Sequence, residues 1–156
     1  MHKKIYTLEQ ATQLMSDAFI YKMPFNQLIG IKLMRLEMDF VQLALDNKAE
    51  LIGNFSQQIL HGGVIAAILD VAGGMVCINQ LLIRIEPLSH EMIIDRMSRM
   101  GTIDLRVDYL RPGRGNKFIA SANILRNGNK ISVTRTELHN DKNQHIASAT
   151  ATYLVG

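Results

Sequence analysis

An α+β fold, with one antiparallel sheet wrapped around a long central helix, is what this sequence predicts. Three observations carry that expectation. The stretch from Leu60 to Arg84 is the longest apolar run in the chain and holds one acid before its terminal arginine, Asp70. From Thr102 onward, apolar residues recur at every second position through successive segments separated by turn residues. Helical spacing is otherwise clearest near the N-terminus. Strands in succession with helices segregated from them define the α+β class, and a sheet curled around the apolar helix covers both economically.

Taken in order, Thr7-Leu-Glu-Gln10 reads as a capping box, the Thr side chain and the Gln three residues on closing the first turn of a helix. Leu8, Ala11, Leu14/Met15 and Ala18/Phe19 continue it at helical spacing to about Met23, where Pro24 stops it. Pro24–Gly30 is short enough for a helical turn. Ile31 to Asp46 reads as a strand with a turn or bulge at Met38-Asp39, since Val41, Leu43 and Leu45 alternate. Asn47 to Gln58 is irregular and leads into the central helix, roughly 62–82. Ser89 is placed to cap a short helix carrying Met92, Ile93 and Met97. Beyond it, 102–109, 117–125, 130–139 and 144–154 read as strands, with Asn127-Gly128 a hairpin signal. Ala147, Ala149 and Ala151 leave one face of the last strand open to close packing by a helix.

At 156 residues the chain is expected to be a single domain, 1–156, with 1–29 as an N-terminal helical extension. The 17 Lys+Arg against 14 Asp+Glu are interspersed, which is too small an excess for a nucleic-acid partner. Cys77 stands alone on the apolar helix, so no intrachain disulfide is possible and a reducing, cytoplasmic setting is expected. His2, His61, His90, His139, His145 and Cys77 show no zinc-type spacing, and no metal or cofactor is expected. The start Met-His-Lys-Lys lacks a following apolar segment and reads as no signal peptide. A membrane span at 60–84 is disfavoured because Asp70 would lie near the bilayer centre, at a cost of roughly 2.5–3.5 kcal/mol.

The central helix offers two places for chemistry. His61-Gly62-Gly63 opens it, and exposed N–H groups at a helix start, at the positive end of the dipole, suit an anion or a developing oxyanion. The Gly62 N–H is the foremost candidate, although the glycines also permit a tight entry into the helix. Asp70, in an apolar setting, is either a general base or nucleophile, or a buried acid paired with some donor. Eight residues at 1.5 Å each separate Gly62 from Asp70 by roughly 12 Å. One carbonyl cannot touch both on one helix. If both act on it, two chains bring their helices together antiparallel, and a twofold dimer does so twice.

His61-Gly62-Gly63, Asp70 nine residues after that His, the strand from Thr102 to Pro112 and the closing Ala149-Thr-Ala-Thr-Tyr together resemble the hotdog-fold acyl-CoA thioesterases. The closest branch is the phenylacetic-acid-degradation thioesterase group of the 4-hydroxybenzoyl-CoA thioesterase superfamily. The similarity covers roughly 30–156. It implies the hotdog fold, hydrolysis of an acyl-CoA thioester, and a homodimer with a joined sheet, often a homotetramer. Carried over by position, Gly62 supplies the oxyanion N–H, with Gly63 beside it, and His61 lies at the substrate carbonyl. Asp70 is nucleophile or general base, and Thr102 helps place water or the carboxylate. Asn54 precedes the His by seven residues, one position further than in some members; Gln57 and Gln58 are its alternates. Arg111, Arg114 and Arg126 are candidates for the CoA phosphates. The apolar Ile93, Ile94 and Met97, in a segment longer than usual for the group, point to a longer acyl chain, so that a medium- or long-chain or an aromatic acyl-CoA is the expected substrate. A non-catalytic acyl-CoA-binding module is the alternative reading.

Overall fold

A computed structural model describes residues 4–156; His2, weighed above as a ligand, lies outside them. Helix α1 (Leu8–Ser16) carries the capping box: Thr7 Oγ1 accepts from the Gln10 amide, and the Gln10 side chain accepts from the Thr7 amide. The helix does not continue in α form to Met23. It widens into a π-helical segment, Asp17–Lys22, and Pro24 then starts a separate short helix, α2 (Pro24–Ile29). Proline at a first helical position loses no needed donor.

The segment 31–46 is two strands rather than one bent strand. β1 (Ile31–Leu36) and β2 (Phe40–Asp46) form a hairpin whose turn falls at the expected Met38-Asp39. A short antiparallel pair, β3 (Ile52–Asn54) and β4 (Ile59–Leu60), leads into α3 (Gly62–Leu82). Helix α4 (His90–Ser98) is capped by Ser89, whose hydroxyl accepts from the Met92 amide. Strands β5 (Gly101–Tyr109), β6 (Lys117–Asn127), β7 (Ile131–Asn140) and β8 (His145–Leu154) complete the chain.

The main sheet has six antiparallel strands in the order β1-β2-β6-β7-β8-β5 and wraps around α3. This is the hotdog architecture. Helix α3 is long and apolar enough to cross a membrane, yet most of it is enclosed by protein. Ile68, Leu69, Met75, Ile78 and Leu82 are all at least 99% buried, against inward residues such as Phe118 and Leu138. Each such side chain contributes about 1.5–3 kcal/mol on leaving water. The alanines of β8 face inward as expected, with Ala147, Ala149 and Ala151 buried.

Burial of α3 is uneven. Along one stripe, Gly63, Ala67, Asp70 and Val71 remain exposed or half-buried, while every residue from Ala72 to Asn79 is buried. β5 ends the sheet and has no outer neighbour among the described residues. Its alternation therefore buries less than the pattern suggests: Leu105 and Val107 are half-buried, while Ile103 and Tyr109 are more than half exposed.

Candidate active site

Asp70 sits two turns into α3 on the uncovered stripe. Its Oδ1 accepts two hydroxyl hydrogen bonds, from Thr102 Oγ1 at 2.9 Å and from Tyr153 Oη at 3.1 Å. The Tyr153 hydroxyl also lies 2.8 Å from the Asp70 carbonyl oxygen. The second carboxylate oxygen has no partner among the described residues. One oxygen is thus held and the other left to act, the arrangement a carboxylate needs to take a proton from water or to attack a carbonyl.

Thr102 was expected beside the carboxylate. Tyr153 was not singled out, although the closing Ala-Thr-Ala-Thr-Tyr held it in view. It lies on the penultimate position of β8, with its ring buried. Burial, reinforced by the Asp70 carboxylate, holds its phenol well above the ordinary tyrosine range, so it stays a donor. Gly73 makes room for it. A Cβ there would stand 2.4 Å from Tyr153 Oη and 2.8 Å from Thr134 Oγ1. The glycine one turn after Asp70 is therefore required by the tyrosine that holds Asp70.

A cavity of about 290 Å³ opens beside this carboxylate. Its walls are apolar: Met15, Phe19 and Met23 from the N-terminal helical segment, Ala67 and Val71 from α3, and Met97 near the end of α4. Of the three residues expected to line it, only Met97 does. Ile93 is fully buried in the core, and Ile94 is half exposed on the outer side of α4.

The start of α3 is a second locus. His61 is the N-cap, and its Nδ1 accepts from the Gly63 amide at 2.8 Å. The Val64 and Ile65 amides bond the His61 carbonyl oxygen. Only the Gly62 N–H in this first turn is left without an acceptor among the described residues. Gly53 lets β3 approach, since a Cβ there would lie 2.6 Å from His61 Cα. The Tyr109 hydroxyl donates to the Gly62 carbonyl oxygen at 2.8 Å and sets the edge of a cleft that also includes Arg111.

The remaining predicted residues divide. Asn54 is not aimed at Asp70: its Oδ1 accepts from Ser56 Oγ and the Gln57 amide, closing the β3–β4 turn. Gln57 and Gln58 are likewise engaged locally, Gln57 with the Arg114 guanidinium and Gln58 with the Phe55 carbonyl oxygen. Arg111 and Arg114 lie on the connection beside β4, held by the His145 and Gln57 carbonyl oxygens. Arg126 is exposed near the far end of β6, roughly 30 Å along the strand from its start at Lys117. It does not join the other two arginines. Cys77 is buried and its thiol is pushed up to about 12 by burial, which removes it as a nucleophile.

Residues 57–147 match the Thioesterase superfamily, a span that contains His61, Gly62, Asp70 and Thr102 and ends before Tyr153. The medium/long-chain acyl-CoA thioesterase YigI of Salmonella typhimurium is 56% identical over 152 residues, covering 97% of this chain and 98% of its own. A crystal structure of a Shewanella oneidensis protein related to the thioesterase superfamily superposes with a TM-score of 0.90 at 44% identity, over 96% of this chain and 97% of the other. The PaaI protein of the Escherichia coli phenylacetic acid degradation operon shares the fold at 18% identity, with a TM-score of 0.77 and 96% of each chain covered.

Proposed function

Because the chain belongs to the thioesterase superfamily, we propose that it hydrolyses medium- and long-chain acyl-CoA thioesters to free acid and CoA, at sites built between two copies of the chain. The observation that carries this reading is the Asp70 carboxylate, fixed through one oxygen by Thr102 and Tyr153 at the mouth of an apolar cavity. The acyl chain enters that cavity and brings the thioester to the carboxylate.

Asp70 acts as general base on a water, or as nucleophile, at the carbonyl carbon. In the general-base course, water adds to that carbon as its proton passes to Asp70. The carbon–sulfur bond then breaks, and the CoA sulfur leaves with a proton. Negative charge gathers on the carbonyl oxygen in between and needs a donor. The free Gly62 N–H at the positive end of α3 is suited to it, but on the same helix it lies roughly 12 Å from Asp70. A twofold dimer with α3 helices side by side brings the Gly62 end of one copy to Asp70 of the other. The uncovered stripe of small residues on α3 and the unpaired edge of β5 support such an assembly, because both are surfaces a second copy can cover. His61 then stands beside the thioester. Gly63 accompanies it in the turn, and Arg111 and Arg114 are positioned for the CoA phosphates.

The test is release of free CoA from a panel of short, medium, long and aromatic acyl-CoAs by wild type and Asp70→Asn. Turnover strongest on medium and long chains, lowered about 10²–10⁴-fold in the variant, is expected. Equal turnover by both proteins would overturn the role of Asp70. Tight binding with no turnover of any ester would mark a non-catalytic binding module instead.

A further inference from the structure

On the face of the sheet turned away from α3, Glu137 and His139 project from β7 two residues apart, while the alternating Thr136, Leu138 and Asn140 are buried inward. His145 opens β8 directly opposite His139. That placement depends on a bulge. Leu138 pairs with Ala147 and His139 with His145, so Ile146 is the extra residue, and its carbonyl oxygen accepts from the Leu110 and Arg111 amides instead. Without the extra residue, alternation would turn His145 to the inner face beside Ala147. A bulge that re-aims one side chain in this way is a recurrent device at sites.

We propose that Glu137, His139 and His145 form a binding site for a divalent transition-metal ion of the zinc type, separate from the Asp70 cavity and on the opposite face of the sheet. One ligand atom from each of the three residues can be chosen so that all lie within 4.8 Å of one another. The imidazole rings of His139 and His145 are stacked, with centroids 4.6 Å apart and planes 14° from parallel. Two imidazoles and one carboxylate make a donor set for a borderline ion, with a water completing four-coordination. Metal–nitrogen distances of about 2.0–2.1 Å put tetrahedral donors about 3.3 Å apart. Binding therefore requires the side chains to rotate together by the difference.

Two further features point to a ligand. His145 Nε2 lies 3.1 Å from the Ala147 carbonyl oxygen and 2.8 Å from Ser148 Oγ. A carbonyl only accepts, so Nε2 carries the proton and Nδ1 keeps its lone pair. A histidine oriented by a backbone carbonyl through its other nitrogen is the usual second sphere of a metal ligand. Glu137 and His139 are half-buried, yet neither side chain makes a hydrogen bond or ion pair among the described residues. An ion shared with His145 would supply the partner each lacks and would clasp the β7–β8 hairpin.

The experiment is titration of the chelator-treated full chain with Zn²⁺ by calorimetry and with Co²⁺ by absorption. One ion per chain, bound with a dissociation constant at or below about 10 µM and raising the thermal midpoint, is expected. His139→Gln and His145→Asn each weaken binding by at least about tenfold, while Asp70→Asn leaves it unchanged. Absence of saturable binding, or binding undiminished in the His139→Gln/His145→Asn double variant, would overturn the site. Should a variant fail to fold, wild-type histidine NMR decides. One equivalent of Co²⁺ must shift or broaden the ring resonances of His139 and His145 and spare those of His61 and His90; the reverse pattern would refute the assignment.

Discussion

Tyr153 is the residue whose importance is set by contact rather than by position in the sequence. Its hydroxyl reaches both the carboxylate and the carbonyl of Asp70 from the end of β8, 83 residues away. Tyr153→Phe should therefore lower kcat about 5–20-fold, or about 1–2 kcal/mol, and leave KM within about twofold, because Thr102 still holds the same oxygen and only part of the about 1.5–3 kcal/mol contributed by a hydrogen bond to a charged group is lost. Steady-state kinetics on one good acyl-CoA checks this; an unchanged kcat would make the tyrosine a packing residue only. Cys77 supplies a second check at this scale. With its thiol pushed up to about 12 by burial, almost no thiolate exists at pH 8. A colorimetric disulfide reagent should label native protein negligibly over an hour and label one thiol at once in denaturant. The contact between Asp70 and Thr102, and the free Gly62 N–H beside His61, are legible as candidates because these residues sit at a fixed spacing on one helix and one strand. Tyr153 lies within the closing Ala149-Thr-Ala-Thr-Tyr run, but its bond to Asp70 spans the fold and no spacing rule records it. Asn54 shows the opposite case. Its type and neighbourhood suggest the site, while within the chain its side chain closes the β3–β4 turn.

Elements were read well where one local signal dominates. The capping box of α1, the Ser89 cap of α4 and the hairpin at Asn127-Gly128 are all present because each is decided within four residues. The boundaries of α3 followed from the apolar run, bounded by the His-Gly-Gly corner and Ile83. The N-terminal helix was read as continuous because π-helical widening leaves no compositional mark. The close fit of α3 on β8 was visible only as a preference for small residues. The structure assigns that preference to Gly73 against Tyr153. Gly73→Ala, which normally favours a helix by about 1 kcal/mol, is expected here to destabilise by about 1–3 kcal/mol through overpacking. Its kcat should fall with that of Tyr153→Phe. Urea unfolding alongside kinetics tests this, and a gain in stability with full activity would contradict the packing argument.

For the whole molecule, the proposed mechanism requires two copies of the chain. The proposed base, Asp70, and the proposed donor, the Gly62 N–H, lie on one helix, roughly 12 Å apart, and the helix stripe that carries Asp70 is left uncovered. The exposed faces of β5 and the small-residue stripe on α3 belong to one assembly problem, which sequence patterning raised through distance alone. The central claim is that each site takes Asp70 from one copy and the Gly62 N–H from the other. The most direct measurement uses two inactive variants. Gly62→Pro removes that N–H at a first helical position, where proline is favoured and no protein acceptor is lost. It should reduce kcat about 10²–10³-fold. Differently tagged Gly62→Pro and Asp70→Asn chains are co-expressed, and the mixed dimer is purified through both tags. Each mixed dimer holds one intact site and one doubly damaged site, so the account predicts CoA release at about half the wild-type rate. Release no faster than that of the two parent variants would mean that each site is built within one chain, and would contradict it.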